Sequence, residues 1–432
     1  MNIRFYNARI LRLDSDKKFQ ITEGELWVRG NTICYIGDGT DVASVCKNPE
    51  DIIIWEREID VKRNLLMPGF KDAHTHSAMT FLRSRADDLP LQEWLNEQVF
   101  PMEARLTGEE AYLFSKIAIM EYLTSGITSV FDMYIYPKEV IQAAVDCGFR
   151  IVQVSGLNNF TSSLEELEEQ YLKYNSYHEL CSFKLGFHAE YTTDRKKLEG
   201  LAELSRKYQA PVYTHNSETK KEVAECRERY GKSPTQLFEE LGLYDYGGGG
   251  YHCVWFDEED IRIFRDRKLS VITNPASNLK LASGIAPLAQ MQKAGINIAI
   301  GTDGPASNNC LDMFREMFLV SGLAKLREED AAVLDGNDVL YMATAGGAYA
   351  MGLDCDCLEV GKKADLILID LHQPNMQPEN NITKNLVYSG SKQNVLLTMV
   401  NGNILYENGS FRIGEQPEEI YKRANEIIRK MR

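Results

Sequence analysis

The chain alternates short apolar segments with amphipathic helical ones over most of its length, from Leu65 to about Ala350. The apolar segments have the length and β-branched content of buried strands, and helical patterns such as TGEEAYLFSKIAIMEYLTSG fall between most of them. Eight strand–helix units in series predict an α/β fold, a (β/α)8 barrel, which we place at residues 63–355. The candidate strands are Leu65–His74, Ile127–Met133, Arg150–Gly156, Phe183–His188, Pro211–His215, Tyr251–Val254, Ser270–Asn274 and Ile296–Thr302.

Both ends of the chain are rich in strand patterns instead of strand–helix units. IRFYNARILRL and GELWVRGNTICYIGDG near the start, and ADLILIDL and NVLLTMVNGNILYENG near the end, are apolar segments with polar residues between them. The simplest way to pair them is one small flanking β-sandwich built from residues 1–62 and 356–414. Residues 415–432 then predict a C-terminal helix with basic residues near its end.

The acidic composition limits the partners that this chain can have. It carries 48 Lys and Arg against 63 Asp and Glu, a formal net charge of -15, which disfavours nucleic acid and anionic membranes. No apolar stretch approaches the roughly 20 residues of a membrane span, and the start shows no secretory signal pattern. The nine scattered cysteines are typical of reduced thiols. We expect a cytoplasmic protein that binds a small-molecule substrate, with assembly into a homo-oligomer left open.

Most of the histidines follow the predicted barrel strands, at the strand ends where barrel enzymes place their chemistry. A single buried histidine is usually satisfied by the backbone, but five of the seven at one rim indicate a site. His178 and His372 lie outside this pattern. The polar residues at the rim are His74 and His76 after strand 1, His188 after strand 4, His215 after strand 5, His252 after strand 6 and Asp303 after strand 8.

Four of these residues have the chemistry of a divalent metal site. Zinc and similar metals bind neutral imidazole and carboxylate, and a catalytic site keeps one position open for water. His74, His76 and His215 could supply imidazole nitrogens. Asp303 could supply a carboxylate oxygen.

Two further residues could act on protons beside such a metal. Glu218 lies three residues beyond His215, just past the strand end, from where its carboxyl could shuttle protons. The alternative for Glu218 is a helix-start acid favoured by the helix dipole. His252 lies across the mouth of the barrel and could hydrogen-bond the attacking water.

Seven segments together resemble the amidohydrolase superfamily, and within it the 5′-methylthioadenosine/S-adenosylhomocysteine deaminases and their chlorohydrolase-like relatives. The similarity runs from about residue 3 to about residue 410, with the motifs in the family's order. The segments are PGFKDAHTHSAMTFLRS, LQEWLNEQVFPMEARLT, GITSVFDM, HNSETKKE, HCVW, NPASNLKLASGIAPL and GTDGPASNN.

The resemblance implies a barrel with a flanking β-sandwich and one divalent metal per subunit, usually zinc and sometimes iron. It implies that Glu218 moves protons to a ring nitrogen, that His252 orients the water, and that Asp303 both binds the metal and accepts the water proton. It also implies that Glu93 contacts ribose hydroxyls and that His188 contacts the substrate. The metal ligands carried over by motif are His74, His76, His215 and Asp303.

The sequence departs from the family pattern at three places near the pocket. HAEY puts Glu190 where the family commonly has proline, and HCVW has Trp255 where histidine is frequent. The loop VSGLNNFTSSLEE has Ser155 and neutral neighbours where S-adenosylhomocysteine-type members have arginines. A substrate carboxylate would therefore lack its partner, and we expect neutral 5′ groups to be preferred.

The sequence thus predicts a hydrolase that deaminates an adenosine-type nucleoside: 5′-methylthioadenosine, 5′-deoxyadenosine, adenosine or S-adenosylhomocysteine. Deamination of guanine or an oxidised purine, and hydrolytic dechlorination of a triazine, remain alternatives, because the same metal site serves all of them. A non-enzymatic protein on the same scaffold is a further alternative, although such proteins typically lose metal ligands and this chain keeps them.

Overall fold

The structure, a computed structural model, describes residues 1–40, 54–85 and 87–431. Its strands, in chain order, are β1 Asn2–Leu13, β2 Phe19–Arg29, β3 Thr32–Gly37, β4 Arg57–Asp60, β5 Leu65–Pro68, β6 Phe70–Thr75, β7 Ile127–Met133, β8 Arg150–Val154, β9 Cys181–Gly186, β10 Val212–Asn216, β11 Gly248–His252, β12 Ser270–Thr273, β13 Asn297–Ile300, β14 Leu366–Ile369, β15 Val395–Val400, β16 Asn403–Glu407 and β17 Ser410–Phe411.

Most of the α-helices lie between strands β6 and β14. They are α1 Leu91–Glu93, α2 Phe100–Glu103, α3 Gly108–Thr124, α4 Pro137–Asp146, α5 Leu164–Tyr174, α6 Arg195–Tyr208, α7 Lys220–Tyr230, α8 Pro234–Glu240, α9 Glu258–Asp266, α10 Pro275–Lys280, α11 Leu288–Lys293, α12 Met313–Glu328, α13 Gly336–Tyr341, α14 Gly347–Met351, α15 Ile382–Tyr388 and α16 Pro417–Met431. None of the helices in the described ranges is long and apolar enough to cross a membrane.

Strands β6 to β13 form an eight-stranded sheet in which each strand pairs in parallel with the next along the chain. The end of the last strand returns to the first, because the Asp303 N–H donates to the His74 carbonyl over 2.8 Å. Strands β7, β8 and β12 are buried at every position, as expected for a parallel sheet covered on both faces. The predicted (β/α)8 barrel is confirmed.

The first predicted barrel strand, Leu65–His74, is in fact two strands. β5 leaves the barrel and pairs with β1 and β14 of the flanking sheet, whereas β6 begins the barrel. The break falls at Gly69, where an added Cβ would lie 2.1 Å from the Thr128 Cγ2, so that only glycine allows this approach. The chain therefore passes from the flanking sheet to the barrel at Gly69.

The two chain ends join in one nine-stranded flanking sheet rather than in two separate sheets. The sheet runs β17-β16-β15-β14-β5-β1-β2-β3, and β4 also pairs with β1. Side chains from both ends pack in a core of their own, which includes Ile3, Phe5, Leu26, Leu366 and Met399. Residues 41–53 of the predicted sandwich, and Arg432 of the predicted C-terminal helix, lie outside the described residues.

Candidate metal centre and active site

The five rim histidines meet at the carboxyl ends of the barrel strands. The ring centroids of His74 and His76 are 4.8 Å apart, as are those of His74 and His215. His188 and His252 lie 4.9 Å and 5.5 Å from His215 on the same measure. The structure thus brings together the histidines that the strand pattern singled out.

Three of these histidines and Asp303 direct their ligand atoms at one another. The Nε2 atoms of His74 and His215 are 3.1 Å apart. Asp303 Oδ1 lies 3.2 Å from His76 Nε2 and 3.6 Å from His74 Nε2. His252 Nε2 also approaches, 4.0 Å from Asp303 Oδ2. Two overlapping groups could hold a metal ion among the described residues, His74 with His76 and Asp303, and His74 with His215 and His252.

Hydrogen bonds on the outer nitrogens orient two of the imidazoles for metal binding. The His76 Nδ1–H donates to the Met133 carbonyl over 2.5 Å, and the His215 Nδ1–H donates to the His188 carbonyl over 2.7 Å. In this tautomer the Nε2 lone pair of each ring faces the cluster, as in metal sites with ordered ligands. His74 is oriented instead by stacking on Tyr251, with ring centroids 3.8 Å apart.

The electrostatics of the cluster also suit a cation. Burial holds the pKa of His74 and the pKa of His215 well below the ordinary value, so both rings are neutral, the form that binds metals. Burial lowers the pKa of His76 too, but the Asp303 carboxylate outweighs it and raises that pKa to about 9. Against burial, the imidazoles hold the pKa of Asp303 well below its usual range. Asp303 is therefore an anion surrounded by imidazoles.

Asp303 is held in an unusual backbone conformation by a full set of hydrogen bonds. Its φ of 59° is in the left-handed region, which is rare for a residue other than glycine and is often found at functional sites. The Ser277 and Ser307 hydroxyls donate to Oδ2 over 2.6 and 2.9 Å, and the Gly304 N–H donates to Oδ1 over 2.7 Å. The carboxylate is therefore fixed before any ligand arrives.

Glu218 lies on the other side of the cluster in the turn after β10. It is 5% exposed, and its Oε2 lies 3.9 Å from His252 Nε2. Burial raises the pKa of Glu218, which favours the protonated carboxyl that can donate a proton. The turn is anchored by Glu222, whose carboxylate accepts the Ser217 N–H over 3.1 Å and the Glu218 N–H over 2.8 Å. The motif HNSETKKE contained Glu222, but its role in the turn was not predicted.

His252 is oriented by Asn278, a residue that sequence analysis missed. The His252 Nδ1–H donates to the Asn278 Oδ1 over 2.7 Å, which turns Nε2 towards Glu218 and Asp303. Asn278 lies on α10, just after β12, so its place behind a barrel strand was the available signal. His252 itself has a φ of 70°.

His188 lies at the edge of the cluster and remains a candidate substrate contact. Its Nδ1 lies 2.9 Å from the Thr192 hydroxyl, and burial lowers its pKa to about 4, so the ring is neutral. Glu190, two residues on, does not present a free charge to the pocket. It is 4% exposed and pairs with Arg229 on α7. The ion pair leaves little net charge at Glu190.

The segment LQEWLNEQVFPMEARLT contains, besides Glu93, a glutamate that lies near His76. Glu93 is exposed at the end of α1. Glu103, at the end of α2, lies beside Tyr134 and close enough to His76 for that imidazole to lower its pKa against the stronger effect of burial, with a net pKa of about 7. The buried Tyr134 hydroxyl lies against this carboxyl and also lowers its pKa. Glu103 is therefore a carboxyl near the rim that could bind a ligand.

The loop after β8 carries no charged side chain from residue 155 to residue 163. Ser155 is buried, and its hydroxyl accepts the Leu157 N–H. The Asn158 side chain is bound within the loop, where its Oδ1 accepts the Phe160 N–H over 2.7 Å. Lys197 reaches the loop from α6, but its ammonium donates to the main-chain oxygens of Asn158 and Ser162.

A parallel barrel with imidazoles and a carboxylate at its carboxyl rim defines a class, the metal-dependent barrel hydrolases. The donor set fits a divalent cation, because three imidazoles and an ionised carboxylate point at one volume, and a bound cation would displace the proton that Asp303 favours on His76. The amidohydrolase family model matches residues 65–405, and the chain belongs to this family. It is a metal-dependent hydrolytic enzyme.

Relatives cover almost the whole chain. It is 37% identical to a 5-methylthioadenosine/S-adenosylhomocysteine deaminase from Caldanaerobacter subterraneus subsp. tengcongensis, over 99% of each chain. It is 35% identical to a 5′-deoxyadenosine deaminase from Methanobrevibacter smithii, over 96% of this chain and 95% of that one. A zinc-bound adenosine deaminase from Xanthomonas campestris is similar in structure, with 29% identity, a TM-score of 0.91 and coverage of 100% and 98%.

Proposed function

We propose that this protein is a hydrolytic deaminase of adenosine-type nucleosides, which releases ammonia and the inosine-type product. The observation that carries the proposal is the position of Glu218, a buried carboxyl with a raised pKa whose Oε2 lies 3.9 Å from His252 Nε2, beside the clustered side chains of His74, His76, His215 and Asp303. A group that can donate a proton thus faces a group that can bind a cation. Relatives named as nucleoside deaminases support the choice of substrate class.

The metal that we propose is one divalent zinc ion per chain, held by His74, His76, His215 and Asp303. Three imidazoles and a carboxylate suit zinc, and a similar structure contains it. Iron(II) is the alternative, since imidazole and carboxylate suit it as well. A bound divalent cation would supply a lower pKa for water, which allows attack near neutral pH.

The protein side of the reaction is a pair of proton transfers across the pocket. His252 Nε2, oriented by Asn278, accepts a hydrogen bond from the attacking water. Asp303 accepts the proton that the water loses and passes it to the amino group, which leaves as ammonia when its bond to the ring carbon breaks. Glu218 gives its proton to the ring nitrogen next to the carbon that bears the amino group, and this makes that carbon more electrophilic. The two carboxyls have opposite pKa shifts, which matches one acceptor and one donor.

On the sugar side, we propose Glu103 as the carboxylate that binds the ribose hydroxyls, in place of Glu93. Glu103 lies near the rim imidazole of His76, whereas Glu93 faces solvent. Tyr134 places a buried hydroxyl next to Glu103. His188 remains our proposal for a further substrate contact. The neutral loop with Ser155 favours a 5′ group without charge.

An ammonia-release screen tests the proposal. The candidate substrates are adenosine, 5′-methylthioadenosine, 5′-deoxyadenosine, S-adenosylhomocysteine, guanine, 8-oxoguanine and s-triazines. We expect the neutral nucleosides to have a kcat/KM roughly tenfold to a hundredfold above that of S-adenosylhomocysteine, since its carboxylate finds no charged partner. Glu218→Gln is the control, and it should abolish turnover while it retains the metal. Turnover of guanine or triazines without turnover of nucleosides would refute the proposal.

A further inference from the structure

The carboxyl of Glu218 is linked to Trp255 by two hydrogen bonds in series. The Ser283 hydroxyl donates to Glu218 Oε1 over 3.1 Å, and the Trp255 indole N–H donates to the Ser283 carbonyl over 2.7 Å. Ser283 is 4% exposed, whereas the Trp255 side chain is 40% exposed. The link therefore runs from a partly exposed ring to a buried proton donor.

The backbone around Trp255 is tied to the same turn as Glu218. The Trp255 N–H donates to the Ser217 carbonyl over 2.9 Å, and the Cys253 N–H donates to the Asn216 carbonyl over 3.1 Å. These two hydrogen bonds tie the segment after β11 to the turn after β10. The backbone of Trp255 is therefore held beside the turn that carries Glu218.

The segment that carries Ser283 packs closely on the Trp255 indole. Ala282 has a φ of 54°, in the left-handed region that is uncommon for a residue other than glycine, and Gly284 has a φ of 127°, which glycine adopts readily. An added Cβ at Gly284 would lie 2.9 Å from Val254 and 3.5 Å from the Trp255 ring, which shows how closely the segment packs on the indole. Trp255 thus holds the segment by both packing and a hydrogen bond.

We propose that Trp255 is a positioning residue for Glu218 and acts through Ser283. The Ser283 hydroxyl occupies Oε1 of Glu218, which leaves Oε2, on the side of His252, as the oxygen that exchanges the proton. Trp255 keeps the Ser283 hydroxyl within hydrogen-bond distance of Oε1, so that Oε2 stays available for proton exchange. Trp255, which stands where the family frequently has histidine, thereby positions the proton donor in this chain. The inference rests on the proposed proton transfer by Glu218.

The first experiment compares Trp255→Phe with Trp27→Phe. Both variants replace a buried or half-buried indole that donates one hydrogen bond, but Trp27 donates to Glu25 in the flanking sheet, remote from the barrel rim. We expect Trp255→Phe to lower kcat about threefold to tenfold, the effect of one hydrogen bond, with KM and metal content nearly unchanged. Trp27→Phe should leave kcat as in the wild type. An unchanged kcat in Trp255→Phe would overturn the proposal.

A double-mutant cycle then asks whether Trp255 acts through Ser283. Ser283→Ala leaves a buried carboxyl oxygen of Glu218 without its hydrogen-bond donor, and we expect it to lower kcat about tenfold to a hundredfold. Trp255→Phe should add almost nothing to Ser283→Ala, because the link is already broken. Ser283→Thr, which keeps the hydroxyl, should restore much of the activity. Additive losses in the double variant would mean that Trp255 acts by another route, and would overturn the proposal.

A measurement without substrate separates this proposal from the proposed function. Hydrogen–deuterium exchange of residues 281–286 should be faster in Trp255→Phe than in the wild type and in Trp27→Phe, because the segment loses its anchor. Faster exchange in a protein that deaminates no nucleoside would refute the function and leave the anchoring role of Trp255 in place. Unchanged exchange would overturn the proposal, whatever the substrate.

Discussion

The Glu190 carboxylate and the Arg229 guanidinium form an ion pair with two hydrogen bonds between the loop after β9 and the end of α7. The Glu190 side chain is 2% exposed and that of Arg229 is 39% exposed. The pair thus neutralises a buried acid next to His188. It also joins the segments after β9 and β10, the two that carry His188 and Glu218.

Removal of Arg229 should therefore destabilise the protein. We expect Arg229→Met to lower the free energy of unfolding by about 1–3 kcal/mol, because it leaves the Glu190 charge buried without a partner. The double variant Glu190→Met/Arg229→Met should recover most of this loss. Urea unfolding measures both. Lys221→Ala, which breaks the exposed pair with Glu225 on the same helix, is the control and should change stability by less than about 0.5 kcal/mol.

Metal analysis should separate the two overlapping groups of possible ligands. We expect His76→Ala and Asp303→Ala to bind metal at least about tenfold more weakly than the wild type, since each loses a ligand. His252→Ala should keep the metal and lose turnover. Elemental analysis after dialysis gives the metal content per chain. Metal loss in His252→Ala together with full retention in His76→Ala would assign the metal to His74, His215 and His252 instead.

Asn278 should matter for turnover and not for metal binding. Asn278→Leu leaves the His252 ring without the acceptor that orients Nε2, so we expect kcat to fall about tenfold or more. Asn278→Asp keeps an acceptor at the same distance and should retain more activity than Asn278→Leu. Steady-state kinetics gives kcat for both variants, and their metal content is measured as a control. Equal losses in both variants would indicate a packing role only.

Matched variants of Glu103 and Glu93 test which of the two carboxylates contacts the ribose. Glu103→Gln should raise KM for nucleosides about tenfold, the loss expected for one charge-assisted hydrogen bond. Glu93→Gln should leave KM within about twofold, because its side chain faces solvent. Initial rates over a range of adenosine concentrations give KM for both variants. A raised KM in Glu93→Gln with an unchanged KM in Glu103→Gln would support Glu93 as the ribose contact instead.

Stability should fall with rising pH, in part because of Glu316. Burial raises the pKa of this carboxyl to about 8 from an ordinary value of 4.5. Between these two pH values the folded chain binds a proton that the unfolded chain has lost, so the free energy of unfolding decreases as pH rises, by up to about 1.4 kcal/mol per pH unit for one group. The stability from this group is fully present below pH 4.5 and is lost by about pH 8.

The variant Glu316→Gln should flatten this pH dependence. It cannot titrate, although the amide leaves one of the two donors, the Ala276 N–H or the Asn308 amide, without an acceptor. Urea unfolding at pH 5.5 and pH 8 measures the slope. Glu228→Gln, at an exposed position of α7, is the control and should keep the wild-type slope. A wild-type slope in Glu316→Gln would contradict the assignment.

The sequence by itself determined the barrel and the place of its chemistry. Short apolar segments that alternate with amphipathic helices allow one kind of closed parallel sheet, and polar residues that follow such strands meet at one rim. His74, His215 and Asp303 could be grouped without coordinates for that reason. The pairing of both chain ends in one flanking sheet followed from the same strand patterns. The sequence did not reveal the break between β5 and β6, because the two strands lie in one continuous apolar segment, Leu65–His74.

Only the tertiary structure decided which polar groups face each other across elements. Glu103 rather than Glu93 approaches the rim, Arg229 pairs with Glu190, and Trp255 reaches Glu218 through Ser283. Periodicity encodes whether a residue is buried, since burial depends on the face of its own strand or helix. A hydrogen bond between loops depends instead on distances between segments far apart in the chain. Those distances are set by the packing of the whole barrel.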